Sequence, residues 1–156
     1  SSNTQWERSA TQQVLMSKIS VRSLNFMRGR TFQQRFIILD EAQHVIETRY
    51  VGRISEAELG TAIDGTLVAA KGMGTNLLLG DCTTLEGGHG MGDLYFFARK
   101  VAALGFSALR EAVLVPKLPE AGANVSFWEV TAKNHGLTVQ LFDDRQAAMA
   151  WLVGGG

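Results

Sequence analysis

Cysteine and proline are almost missing from this chain of 156 residues, which has one cysteine and two prolines. The single Cys82 excludes an intramolecular disulfide and a metal cage built from several thiolates. No apolar run approaches the roughly 20 residues that cross a bilayer. Ser1–Ala10 is too polar for a secretory signal. We therefore expect a cytoplasmic protein that is not attached to a membrane.

Net charge is also missing, because 15 basic residues balance 15 acidic ones, but the two signs are unevenly distributed. Residues 1–34 hold five basic residues and one acid, whereas residues 35–156 hold ten basic residues and fourteen acids. The head, residues 1–31, is polar and has no sustained hydrophobic period, so we expect it to be poorly ordered apart from a candidate helix over Thr4–Met16. Its spread-out charges favour a solvated tail over an arm that binds nucleic acid.

From residue 32 onward the hydrophobic pattern becomes regular and predicts a hairpin followed by a helix. Phe36–Leu39 and His44–Ile54 are typical of two strands joined by a short polar turn. Ser55 has the position of a helix N-cap, and apolar residues recur at helical spacing up to Lys71, after which Gly72 is expected to end the helix.

The rest of the chain alternates between strand and helix patterns. Strands are predicted at Leu77–Leu79, Ala112–Val115 and Leu137–Phe142, and helices at Gly92–Leu104, Ala123–Asn134 and Asp143–Val153. This order predicts an α/β domain over residues 32–153, with four or five mostly parallel strands, an opening β-hairpin and a flexible tail at residues 154–156.

From about residue 36 to residue 153 the chain resembles the SpoIIAA-like members of the STAS superfamily. The similar segments are YVGRIS (Tyr50–Ser55), NLLLGDCTTLEGG (Asn76–Gly88) and FWEVTAKNHGLTVQLFDDRQAAMAWL (Phe127–Leu152). The resemblance implies a STAS-like sheet whose helices pack mainly on one face. It also implies no enzymatic activity, no cofactor and a regulatory role through contact with a protein partner.

That family is switched by phosphorylation of a serine at the start of its second helix. The corresponding stretch here, Glu86–Asp93, contains no serine or threonine, and Thr83 and Thr84 are the nearest hydroxyls. A phosphate at a helix N-terminus acts through its charge, so the missing hydroxyl argues against the usual switch.

A second resemblance covers FMRGRTFQQRFIILDEAQ (Phe26–Gln43), which is similar to the Walker B segment of PhoH-like ATPases. It implies that Asp40 would hold Mg²⁺ and that Glu41 would position the attacking water. However, the chain has no Gly-Lys dipeptide and therefore no phosphate-binding loop. The residues after Gln43 also depart from the ATPase pattern. A hairpin turn at Asp40–Gln43 is the favoured interpretation, and no enzymatic activity is predicted.

A glycine-rich loop before the second predicted helix is the candidate binding site for a ligand or partner. Free backbone N–H groups at a helix N-terminus attract anions, although the glycines could also serve only a tight turn. The candidate residues are Gly87, Gly88, His89, Gly90, Met91, Gly92 and Asp93.

The remaining candidates favour structural roles. Cys82 follows Asp81, whose charge would oppose a thiolate, so a small buried side chain is expected. The histidines, His44, an exposed His89 and His135, are too far apart for a metal site. Two tryptophans and three phenylalanines are expected to pack in the core, or else to line a ligand pocket: Trp128, Trp151, Phe96, Phe97 and Phe127.

The sequence therefore predicts a non-catalytic domain that binds a protein partner in a regulatory setting. One alternative is a carrier of a small ligand or nucleotide that uses the glycine-rich loop. Another is a fragment derived from an ATPase. The opening strand would leave a sheet edge, which could pair two copies into a homodimer.

Overall fold

The computed structural model describes residues 35–105 and 108–154, which form five strands and four helices in alternating order. The strands are β1 (Arg35–Asp40), β2 (Val45–Arg53), β3 (Leu77–Gly87), β4 (Arg110–Leu114) and β5 (Thr138–Phe142). The helices are α1 (Glu56–Met73), α2 (Met91–Ala103), α3 (Pro119–Asn134) and α4 (Arg145–Val153). The predicted alternation of strands and helices is confirmed.

The five strands form one sheet in the order β1-β2-β3-β4-β5. β1 and β2 are antiparallel, and every later pair is parallel. Within the hairpin, the Asp40 carboxylate accepts a hydrogen bond from the Gln43 backbone N–H at 2.9 Å. The opening hairpin, its turn and the mostly parallel sheet are therefore confirmed.

Helices cover the two faces of the sheet unequally. The larger core joins Leu67 of α1, Phe97 of α2 and Val125 of α3 to one face of the sheet. The smaller core joins Ala148 and Leu152 of α4 to the opposite face. Successive right-handed crossovers between neighbouring parallel strands place their helices on one face, which leaves the last helix free to return along the other.

β3 is much longer than the predicted Leu77–Leu79, because it continues through the segment that was expected to be a loop. Residues 77–87 pair with nearly the whole of β2, with two register irregularities near Arg49 and Arg53. Cys82 and Leu85 are buried while Thr84 and Glu86 are exposed. Because polar residues occupy the exposed side of the strand, the apolar pattern of the sequence predicted only its first three residues.

The ends of three helices also differ from the predicted ones. α1 continues past Gly72 and ends before Gly74, which adopts a left-handed conformation with φ of 69°. α3 begins at Pro119, since a proline lacks only an N–H that the first helical turn does not need. α4 begins after Asp144, whose side chain accepts from the Ala147 N–H at 2.9 Å.

The predicted N-cap of α1 is confirmed. Ser55 accepts a hydrogen bond from the Glu58 N–H, and the Glu58 side chain accepts one from the Ser55 N–H, which completes a capping box. The predictions for residues 1–31, the helix over Thr4–Met16 included, lie outside the described residues. Among the helices described, none is long and apolar enough to cross a membrane.

Candidate functional site

The glycine-rich loop follows β3 in the chain, and in the fold it packs between the end of β2 and the start of α3. The Ile54 N–H donates to the Gly87 carbonyl at 2.8 Å. Gly88 has φ of 108°, and a side chain there would begin 2.6 Å from the Ile54 carbonyl oxygen. The backbone therefore requires glycine at residue 88.

Carboxylates of the chain itself occupy the loop where an anion was expected. The Gly90 N–H donates to Asp93 Oδ2 at 2.8 Å, and the Glu120 carboxylate lies against Gly87, where a side chain would begin 2.3 Å from its Oε2. Glu120 also pairs with Arg53 at 3.3 Å. This arginine, with the Gly88 N–H as a smaller cause, lowers the pKa of Glu120. A phosphate would have to displace these groups, so the geometry counts against the anion site.

His89 is half-buried, which corrects the expectation that it is exposed. Its Nδ1 donates to the Ile54 carbonyl oxygen at 2.9 Å. The His89 carbonyl in turn accepts from Asn124 Nδ2 at 3.4 Å. His89 therefore ties the loop to β2 and α3.

The helix that follows the loop exposes three large apolar side chains. Met91, Tyr95 and Phe96 are 44%, 47% and 55% exposed. Met91 and Tyr95 are four residues apart and therefore share a surface of the helix, and Phe96 is exposed next to Tyr95 in the chain. These three side chains are called here the α2 patch. The Arg99 guanidinium lies 5.9 Å from the centre of the Tyr95 ring and borders the patch.

An apolar groove runs between the sheet and the helices on the larger core side. It consists of two adjoining pockets that open to solvent. Both pockets are lined by Tyr50, Ile63, Glu111 and Trp128. The sequence did not predict this groove.

Glu111 is the acidic group of the groove. It lies on β4 with its side chain on the same face as Val113, and Trp128 Nε1 donates to its Oε1 at 2.8 Å. Burial raises the pKa of Glu111 to about 7, although the Trp128 hydrogen bond acts in the opposite direction. The prediction that strand β4 starts at Ala112 left Glu111 outside the strand. Alternation with Val113 and Val115 was the signal that could have found it.

Cys82 also lines the groove and is buried, as predicted. Burial raises the pKa of its thiol strongly, and the nearby charges of Glu111 and Asp81 add to this effect. A neutral thiol is a poor nucleophile. Cys82 therefore acts as a small packing side chain.

The aromatic residues do not form the single cluster that the sequence indicated. Trp128 lies in the groove, whereas Trp151 packs on the opposite face of the sheet against Phe142 and under the Arg110 guanidinium, 4.1 Å from its ring centre. Phe96 is exposed on the α2 patch rather than buried in the core. These rings are separated because their strands and helices point them to different faces of the fold. Spacing in the sequence does not reveal which face each ring takes.

The face that α4 covers carries a charged cluster. Glu47 is only 5% exposed and accepts hydrogen bonds from Arg145 and, at 2.8 Å, from Arg49. Arg145 also lies 3.8 Å from Asp81, and its bond to Glu47 is the main cause that raises the pKa of Arg145. Because the charges pair with one another, the cluster attaches α4 to the sheet.

The Walker B-like pair lies at the hairpin turn. Asp40 caps the turn through Gln43, and Glu41 is exposed beside it. β1 is the last strand described at its side of the sheet and is antiparallel to its neighbour. Within residues 35–105 and 108–154, no three His, Cys, Asp or Glu side chains come together in a group that could hold a metal ion.

The described residues thus form an α/β domain with a five-stranded, mostly parallel sheet. A family model described as PhoH-like protein matches residues 3–54, about a third of the chain. The match includes the segment that resembles Walker B and continues through β2, so the similarity extends beyond Gln43, contrary to the expectation from the sequence. No curated protein and no solved structure matches the chain significantly.

Proposed function

We propose that the α/β body is a non-catalytic, SpoIIAA-like interaction domain that binds a protein partner in a cytoplasmic regulatory setting. The α2 patch is the observation that carries this proposal. Aromatic residues and methionine are enriched at protein interfaces, and one arginine borders the patch. The partner contacts the patch together with the adjoining loop, Gly87–Asp93.

The loop supplies a fixed surface beside the patch. Its backbone is held by Ile54, Glu120 and Asp93, so little conformational entropy is lost when a partner binds. Of the two nearest hydroxyls upstream, those of Thr83 and Thr84, the Thr83 hydroxyl donates to Asp81 Oδ1 at 2.7 Å. The domain therefore binds without the serine switch that is usual for STAS-like regulators.

The PhoH-like match favours a second proposal about origin. Residues 3–54 derive from an ATPase segment that carries Walker B, but without a phosphate-binding loop they do not hydrolyse ATP. ATP with Mg²⁺ should therefore leave the thermal unfolding midpoint of the full chain unchanged. An increase that depends on Asp40 would contradict this.

The interaction proposal is tested with the double variant Tyr95→Ser/Phe96→Ser. A photoreactive residue at Met91 of the full chain would identify the partner by crosslinking, and binding would then be measured with purified components. Removal of two exposed aromatic anchors should weaken binding by roughly a thousandfold, because each aromatic buried by the partner contributes about 2 kcal/mol and about 1.4 kcal/mol is a factor of ten.

Val130→Ser on α3 is the matched control, since Val130 is also exposed and apolar but lies outside the patch. It should leave the affinity within about twofold. Equal affinities of the wild type and the double variant for the purified partner would contradict the proposal.

A further inference from the structure

We propose that the groove beside Glu111 binds a small apolar molecule that carries an ammonium group. This site is separate from the α2 patch and does not depend on the partner proposed above. The argument combines the apolar walls of the groove, an unpaired buried amide oxygen and the uncompensated acid in its middle.

The walls of the groove suit an apolar ligand. Side chains from the sheet and all three covering helices line it, among them Ile63, Leu94 and Trp128. The indole and phenol rings of Trp128 and Tyr50 provide surfaces that also attract cations.

A buried polar atom in the groove has no partner. Asn124 is 5% exposed and lines one of the two pockets. Its Oδ1 accepts no hydrogen bond from the described residues, although its Nδ2 donates to the His89 carbonyl. An unpaired buried acceptor costs free energy, so a ligand with an N–H donor would compensate for it.

Glu111 determines the charge of the ligand. Within the described part of the chain, Trp128 is the one hydrogen-bond partner of its carboxyl, and no lysine or arginine lines the groove. The other titratable groups along the groove are Tyr50, Cys82 and His89. A carboxylate in apolar surroundings repels an anion and forms a strong, charge-assisted hydrogen bond with an ammonium group.

Gly80 makes room for the second carboxylate oxygen. A side chain at Gly80 would begin 3.1 Å from Glu111 Oε2, closer than ordinary packing allows. Since Trp128 bonds to Oε1, Oε2 is the oxygen left to accept from an ammonium group.

The test compares three probes of equal chain length, octylamine, octanol and octanoate, in calorimetric titrations of the full chain at pH 8. We expect octylamine to bind at least about tenfold more tightly than either other probe, since a hydrogen bond to a charged group exceeds a neutral one by about that factor. Glu111→Gln should remove the preference for the amine and leave octanol binding unchanged. Glu86→Gln, at an exposed glutamate of β3 outside the groove, should keep the preference.

Ile63→Trp provides an independent variant, because a larger side chain would fill the groove and weaken all three probes together. The Trp128 indole N–H resonance, assigned with Trp128→Phe, should shift when octylamine binds the wild type. The proposal is overturned if octanoate binds as tightly as octylamine, if Glu111→Gln keeps the preference for the amine, or if no probe shows saturable binding.

Discussion

Replacement of Glu111 with glutamine should remove much of the pH dependence of folding and stabilise the protein above pH 7. Glu111 is half-buried, and its pKa of about 7 in the folded chain compares with an ordinary value of 4.5. Burial, the main cause of this increase, disfavours the charged carboxylate. Glutamine has the same shape, can still accept from Trp128 and has no charge to bury.

The sign of the effect follows from the direction of the pKa change. Because the folded pKa is raised, the stabilisation is complete below about pH 4.5 and is lost as the pH rises through about 7. One pKa unit corresponds to about 1.4 kcal/mol, so the full loss is about 3 kcal/mol. Between pH 5 and pH 8 the wild type should lose about 2.5 kcal/mol through this group alone.

Urea unfolding of the wild type and Glu111→Gln, followed by circular dichroism at pH 5, 6, 7 and 8, measures this difference. The variant should be more stable by about 0.8 kcal/mol at pH 5 and by about 3.3 kcal/mol at pH 8, so that the difference grows by about 2.5 kcal/mol over this range. Glu86→Gln, at an exposed position, controls for the loss of one negative charge. A difference between wild type and Glu111→Gln that stays constant from pH 5 to pH 8 would refute the reasoning.

Four further substitutions test the local packing and capping, each by urea unfolding. Gly88→Ala should destabilise by more than about 2 kcal/mol because of its positive φ and the nearby Ile54 carbonyl, whereas Gly122→Ala, with open space inside α3, should stabilise by up to about 1 kcal/mol. Ser55→Ala should cost about 1 kcal/mol by removing the N-cap of α1, and an unchanged stability would show that the cap is dispensable. Arg145→Met should cost about 2 kcal/mol, because the buried Glu47 then keeps only Arg49, and a neutral or stabilising result would contradict the charged cluster as an attachment of α4.

Local patterns were sufficient for most of the helices and strands. In β2, Ile46 and Thr48 share one face of the sheet, and Val45 and Glu47 the other, as alternation along a strand requires. The turn at Asp40 and the cap at Ser55 depend on side chains within three residues, so the sequence alone reveals them.

The candidate site was harder to predict because its contacts join distant parts of the chain. The glycine spacing indicated a turn at Gly88, but not that Glu120, 32 residues further on, fills the anion position. Likewise, Trp128 and Trp151 were expected to share one core or pocket, yet the sheet lies between them. The homodimer, the regulatory partner and the cytoplasmic location remain predictions.

The sequence by itself determined the α/β class, the opening hairpin and the burial of Cys82, because hydrophobic periodicity and caps act over a few residues. Only the tertiary structure decided where the polar groups meet. In the sequence, Glu111 is only an acidic residue in a short strand. In the fold, Trp128, 17 residues later, donates a hydrogen bond to it, and Gly80 on the neighbouring strand leaves space for its carboxylate. Burial and pairing are properties of the packed sheet and helices, and they turn an ordinary glutamate into the acidic group of an apolar groove.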